Sequence, residues 1–444
     1  MQNWLNEHPH IRSIRAGAAD LNGQPRGKRV PVRFARKIEE DGMRFPLSVL
    51  NLDIWGEDVE DSPLVFEVGD PDGLLYPTNR GYVPMPWLSN PTALLPLWMF
   101  NEDGTPYNGD PRQALARVLD RYEAKGLTPV VATEMEFYLV DDSGKEIQQP
   151  KSPRSGKRRP GAEILSLRAL DAFDNFFNDL YDACDAMEID VEAATSEVGL
   201  GQFEINLVHV ADALRAADDA YLFKMLVRGL ARKHGMAASF MAKPYEDYAG
   251  SGMHVHFSIL DKDGNNIFAN DTFEGTPELL NAIAGCLKGI PDLALIFAPH
   301  GNSYGRLVPE SHAPTGICWA YENRTASIRV PGGSFAARRI EHRVAGGDVN
   351  PYLFLAAVLG SALVGLENQT TPPRPISGNA YDQDLPQIPD TWEQAIDRFE
   401  NSDLAANIFD KQLINNLVMT KRQELHYLNE LSPEEQVDLY LDTV

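Results

Sequence analysis

A chain of 444 residues with 43% hydrophobic content can bury a large core and build more than one domain. Its 64 acidic residues against 40 basic ones give a net charge of -24, which argues against nucleic acid and membrane as partners and suits metal ions or a cationic substrate. The three cysteines, Cys184, Cys286 and Cys318, have no metal-motif spacing and exclude a disulfide framework, which fits a reducing, cytoplasmic setting.

The opening MQNWLNEHPH lacks the basic and apolar parts of a secretory leader, so none is expected. Residues 1–107 alternate short β-type runs (IRSIRAGAADL, RVPVRF) with turns. NEDGTPYNGDP, at 101–111, is dense in turn formers and predicts the boundary of a second domain, 108–444. A helix, PRQALARVLDRYEAKG, stops at Gly126, and the strand VVATEMEFYLV comes next. The basic stretch KSPRSGKRRPG (151–161) has no interleaved aromatics and predicts a solvated, mobile loop of no assigned role. LRALDAFDNFFNDLYDACDAM reads as one amphipathic helix. QFEINLVHV and GMHVHFSIL read as strands, with the helix DAYLFKMLVRGLARKHG between them. YLFLAAVLGSALVGL is shorter than the ~18–20 residues of a membrane span. It comes after Asn350 and Pro351, which suit an N-cap and a first helical position, so it predicts a buried core helix. A proline-rich loop, TPPRPISGNAYDQDLPQIPD, precedes a helical end from Trp392. The pattern is α+β, a small β-rich domain followed by a larger mixed one.

ATEMEFYLV holds an anomaly. In a strand, Glu134 and Glu136 share one face about 7 Å apart and repel by about 2 kcal/mol at an effective dielectric of ~20. Three other stretches repeat the pattern. Glu197 and Glu204 flank a Gly-rich turn in SEVGLGQFEINL. His254 and His256 share a face of GMHVHFS. Glu341 alternates with Arg339 and Arg343 in ARRIEHR. Singly, these are commonly a solvated acidic face, a satisfied histidine pair and an ion-pair ladder. Together, five carboxylates and one imidazole make a ligand set for two divalent cations, of the oxygen-rich kind that suits Mg²⁺ or Mn²⁺ over Zn²⁺. Arg306, Arg324, Arg329, Arg339 and Arg343 then suit phosphate and carboxylate groups held bidentately. Metal with arginine is what phosphoryl transfer from ATP requires. With no G-x-x-x-x-G-K-[ST] loop, this is not a P-loop site.

At these residues the sequence resembles the glutamine synthetase superfamily. EMEF, EVGLGQFE, GSGMHVHFS, NSYGRLVP, NRTASIRVP and RRIEHR stand in family order over nearly the whole chain. ADLNGQPRGKRVP, QFEINL, FMAKPY, AGSGMH and EHRVAGGDVNPYL are similar to its γ-glutamylpolyamine synthetase (glutamate–putrescine ligase) branch. The resemblance implies a β-grasp N-terminal domain and a catalytic domain with a curved antiparallel sheet flanked by helices. It also implies a homo-oligomer, a dodecamer of two stacked hexameric rings with active sites between subunits. By motif, Glu136, Glu197 and Glu204 would hold one metal, and Glu134, His254 and Glu341 the other. Glu192, His256, Ser258, Arg329 and Arg339 would face ATP. Gly250, Arg306, Arg324 and Arg343 would hold L-glutamate, and Asp20 falls where the incoming amine binds. The implied reaction is phosphorylation of the γ-carboxylate by ATP, then attack of an amine on the acyl phosphate.

Four departures matter. The flap glutamate that takes a proton from ammonium in ammonia-using members is His312 here, a base without a fixed negative charge, which favours an organic amine. An Asn of the glutamine synthetases is Ala249. A Lys of some relatives, two residues before R-R-I-E, is absent, with Ala336 and Ala337 preceding Arg338. The tyrosine adenylylated in some bacterial members corresponds to Gln383, with Tyr381 out of register. The expected function is ligation of glutamate to a polyamine such as putrescine or spermidine, with Glu310 and Trp319 as an amine pocket through charge and cation–π contact. A surface acid and a core tryptophan are the ordinary alternatives for that pair. The other readings are a ligase for a small monoamine (ethanolamine, methylamine, isopropylamine), ordinary glutamine synthetase, and a catalytically silent structural or regulatory oligomer. The last has no need of six metal-ligand candidates.

Overall fold

The computed structural model describes residues 2–158, 161 and 163–444. The first sheet contains β1 (Ser13–Ala19), β2 (Pro25–Pro31), β3 (Met43–Pro46), β4 (Asp72–Pro77), β5 (Val83–Pro84) and β6 (Thr92–Phe100). Their order is β2-β1-β6-β4-β3, with β5 also on β6. β1 and β6 run parallel at the centre, and the hairpin partners are antiparallel. Gly17 faces Gly27 across the hairpin, where an added Cβ would stand 2.3 Å from the Arg26 carbonyl. Ile14, Ala16, Leu95, Leu97 and Met99 form a small core with Ile38 of the helix Ala35–Asp41. The predicted run RVPVRF ends as a strand at Pro31, which has no N–H to extend the ladder, and Val32–Phe34 closes into a 3₁₀ turn.

Asp110 ties this sheet to the helix Pro111–Glu123. Its carboxylate caps that helix, accepting from Arg112 N at 2.7 Å and Gln113 N at 3.3 Å. The same group accepts from Met99 N of β6 at 2.7 Å. Burial pushes this carboxyl up to about 6.

The second sheet comprises β7 (Thr128–Val140), β8 (Val191–Ser196), β9 (Gln202–Leu207), β10 (Ala237–Ser239), β11 (Met253–Leu260), β12 (Trp319–Tyr321), β13 (Ile328–Val330) and β14 (Ile340–His342). The order is β12-β13-β14-β11-β7-β9-β8, with β10 pairing the end of β7. All pairs are antiparallel except β12 with β13, which run parallel at the edge. The antiparallel sheet expected is thus present, with one parallel pair added at its edge. A reversal through Glu322, held at φ +52°, starts the short link between them.

One face of β7 (Val131, Thr133, Met135, Phe137, Leu139) is apolar but for Thr133 and is buried under the helices Asp174–Ala186 and Ala213–Lys233. Phe137 meets the rings of Phe176, Phe203, Phe223 and Phe240. The helix Pro351–Glu367 is buried on all sides, as its uniform hydrophobicity predicts, and Asn350 caps it by accepting from Tyr352 N at 3.0 Å. The helix expected from Leu167 to Met187 is interrupted after Asp171. Phe173 leaves helical geometry and seats its ring against Phe203 at 5.6 Å. In the basic stretch, Arg158 pairs with Asp141 at 2.7 Å, while Arg159 and Pro160 lie outside the described residues. Among the described residues no helix is long and apolar enough to cross a membrane.

Candidate active site

The other face of the second sheet carries the acids. Strand register aligns them in rows. Glu204 on β9 stands directly opposite Glu136 on β7. Glu134 stands between Asn206 and His254, and Glu341 on β14 between His256 and Arg329. Each strand exposes alternate residues to this face, so Glu134 with Glu136, and His254 with His256 and Ser258, point the same way. The face lines a cavity of about 600 Å³. Glu134, Glu136, Glu197, Glu204, His254, Gly250, Arg306, His312, Arg324, Arg329 and Arg343 all reach it.

Glu134 is the hub. Its two oxygens lie 3.2 Å from His254 Nδ1 and 2.9 Å from His256 Nε2. Two three-donor groups lie within 4.8 Å: Glu134 with His256 and Glu341, and Glu134 with Glu204 and His254. These groups cut across the ligand partition that the resemblance implies, since Glu204 joins Glu134 and His256 joins Glu341. Glu136 is held by Gly252 N at 2.8 Å and Gln202 Nε2 at 3.3 Å, and Glu197 by Thr195 Oγ1 at 3.3 Å. Glu341 is fully buried between Arg329 Nη1, at 2.7 Å, and Arg343.

Electrostatics divides the acids into two sets. Burial raises Glu136, against the pull of Arg306 and with the push of Glu197, to about 7. Burial and the charge of Glu134 push Glu204 up to about 9, and burial raises Glu197 too. Burial also works to raise Glu134, yet hydrogen bonds from His254 and His256 hold it below the usual range. Against burial, Arg343 does the same for Glu341. Burial and Arg343 lower His254 to about 4, which leaves a neutral imidazole able to donate a lone pair. Three carboxyls that resist ionisation side by side, beside a neutral histidine, are a donor set that fits hard divalent cations.

The arginines have capacity to spare. Arg306 donates to the Val344 carbonyl at 2.7 Å. The buried Nε groups of Arg329 and Arg343 have no hydrogen-bond partner, leaving donors for an anion. Gly250 permits this packing, because a Cβ there would stand 2.4 Å from the Ala242 carbonyl and 2.8 Å from the Arg306 side chain. At the outer end, Arg339 Nε lies 3.2 Å from His256 Nδ1, and the His209 ring is 6.3 Å from that of His256. Glu192, the unpaired residue of a β8 bulge, is exposed and acts electrostatically on His209. His312 is exposed at φ +64° on the cavity rim.

Glu192, His256, Ser258, Arg339 and Glu341 lie beyond the lining of this cavity, and so do the three residues expected at the amine, Trp319, Glu310 and Asp20. Trp319 is 2% exposed and donates its indole N–H to the Pro373 carbonyl at 2.7 Å; it is a core residue. Glu310 is exposed but outside the lining. Asp20 is wholly buried, paired with Arg26 at 2.7 Å and accepting from the backbone N–H groups of Asn22 and Gln24. Its carboxylate organises a turn and has no open side for an amine. Conversely, Gln202 and Asn206 flank Glu204 on the same face, and Asn206 donates to it at 3.2 Å. Period two signals both, as it does the acids.

The family model for the glutamine synthetase catalytic domain matches residues 108–440. The chain is 35% identical to gamma-glutamylputrescine synthetase PuuA of Escherichia coli (strain K12), over 99% of this chain and 94% of that one. It is 32% identical to the glutamate–isopropylamine ligase of a Pseudomonas species, over 100% and 98%. The glutamine synthetase of Pyrococcus horikoshii is 33% identical over 88% and 84%. Among solved structures, ligand-free GmaS superposes with a TM-score of 0.83 at 26% identity, covering 97% of both chains.

Proposed function

The chain belongs to the glutamine synthetase family, and from that premise we propose that it is an ATP-dependent ligase joining the γ-carboxylate of L-glutamate to an organic amine, foremost a polyamine such as putrescine. The observation that carries this reading is the strand register. Glu134, Glu136, Glu204, Glu341 and His254 share one sheet face, and all of these but the buried Glu341 line one cavity with Glu197 and four arginines.

Glu134, Glu136, Glu197, Glu204, His254 and Glu341 would hold two Mg²⁺ or Mn²⁺ ions, which supply charge neutralisation for the phosphoryl group. Arg306, Arg324 and Arg343 orient glutamate. Arg329 on β13, Arg339 just before β14, and His256 and Ser258 on β11 face ATP from adjoining strands, and Glu192 does so from β8. The γ-carboxylate oxygen attacks the terminal phosphorus and ADP leaves. The amine nitrogen then attacks the acyl carbon, phosphate leaves, and the surplus proton on nitrogen passes to the His312 imidazole. The isopropylamine ligase relative makes a monoamine the second reading. The assembly proposed is two hexameric rings, with the rim bearing His312 completed by a neighbour.

The test is an amine panel of ammonia, monoamines, putrescine and spermidine at saturating ATP and glutamate, with products weighed by mass spectrometry. A γ-glutamyl amide of an organic amine, formed with higher kcat/KM than glutamine, is expected. Ammonia as the best substrate would overturn the reading of His312.

A further inference from the structure

The polar cavity has one apolar wall. Ile164 is 59% exposed, Leu165 70% and Val198 38%, and all three line the cavity that holds Glu197 and Glu204. This wall is held in place. Leu165 N donates to the Ser196 carbonyl at 2.8 Å, and Ser166 N to Ser196 Oγ at 2.8 Å. Ser196 Oγ in turn donates to the Glu163 carbonyl at 2.7 Å. Ser196 directly precedes Glu197, so the wall and the carboxylate are fixed by one strand end. Leu165 sits at φ +53°, a left-handed conformation that a bulky side chain rarely adopts, and this aims its branch into the cavity instead of into a core.

Large apolar side chains in water are unfavourable unless something covers them. Neither the phosphates of ATP nor the carboxylates of glutamate match such a wall, and both already have arginines. The third reactant does match it. We propose that Ile164, Leu165 and Val198 receive the carbon chain of the amine co-substrate, with its nitrogen toward His312 on the rim of the same cavity. The proposal rests on the ligase reading and adds the residues that set amine choice. Ammonia has no carbon to bury, so the wall contributes nothing to it, whereas each methylene of an alkylamine gains contact.

The experiment measures kcat/KM for ammonia and for n-alkylamines from methylamine to hexylamine, at saturating ATP and glutamate, with 1,3- to 1,6-diamines alongside. The wild type is expected to gain about threefold to fourfold per added methylene over the first several carbons. Ile164→Ser should reduce that slope to below about 1.5-fold per methylene. So should Leu165→Asn, whose side chain tolerates the left-handed backbone, and Leu165→Met should restore it. A steep wild-type slope unchanged in both variants overturns the wall, as does a flat slope in a wild type that uses organic amines. Variants that keep the slope but dissociate by light scattering would show that the wall is a subunit contact. A wild type that uses no organic amine overturns the organic-amine reading itself.

Discussion

Replacing Glu134 by Gln removes one negative charge from the residue common to both three-donor groups, and leaves the shape of the side chain nearly intact. A unit charge pair about 4 Å apart at an effective dielectric of ~20 is worth about 4 kcal/mol, so a divalent ion loses about 8 kcal/mol of gross attraction. The amide oxygen still ligates and water fills part of the deficit. If about 3 kcal/mol of the loss survives, affinity falls on the order of 100-fold. The assay is Mn²⁺ binding by electron paramagnetic resonance in the absence of nucleotide, with circular dichroism to confirm the fold. Glu310→Gln, an exposed acid outside the cavity, is the control and should bind Mn²⁺ as the wild type does. Wild-type affinity in Glu134→Gln would refute the reasoning, since among the described residues no other carboxylate is hydrogen-bonded to both histidines.

Burial and Glu134 destabilise the ionised form of Glu204, so Glu204→Gln should melt higher than the wild type in chelator and gain less from added Mg²⁺ in thermal denaturation. A lower melting point in chelator would count against the crowding of acids. His312→Ala should preserve glutamate-dependent acyl-phosphate formation, trapped by borohydride reduction, and slow amine capture by about 10²-fold or more. Equal loss of both half-reactions would remove the base assignment. Asp110→Asn should destabilise by about 1–3 kcal/mol in denaturant unfolding although Asn is a good N-cap. One carboxylate oxygen caps the helix while the other accepts from Met99 N, where the amide would present a donor. A neutral result would show that the tie to β6 contributes little.

Which residues share a face was legible from period two alone, because Glu134 with Glu136 and His254 with His256 stand two apart in strands. Register was not. That Glu204 faces Glu136 and that Glu341 falls between His256 and Arg329 depends on how distant strands slide, which no local pattern encodes. Gln202 and Asn206 obey the same period as Glu204, yet neutral amides carry no charge anomaly to mark them. Trp319 belongs to a strand of three residues, too short for a period to reveal its buried side. Asp20 offers a buried acid in a turn, and only the structure shows Arg26 closing over it. The break at Phe173 comes from a ring drawn to Phe203, a tertiary contact that overrides helical periodicity.

The central claim is that acids from β7, β9, β14 and the turn after β8, with a histidine of β11, clasp hard cations on one sheet face. Anomalous diffraction from crystals grown with Mn²⁺ and a non-hydrolysable ATP analogue tests it directly. Two manganese peaks are predicted, each within bonding distance of oxygens from Glu134, Glu136, Glu197, Glu204 or Glu341, with His254 on one of them. A map with no manganese on that face, or with those side chains turned apart, would contradict the account.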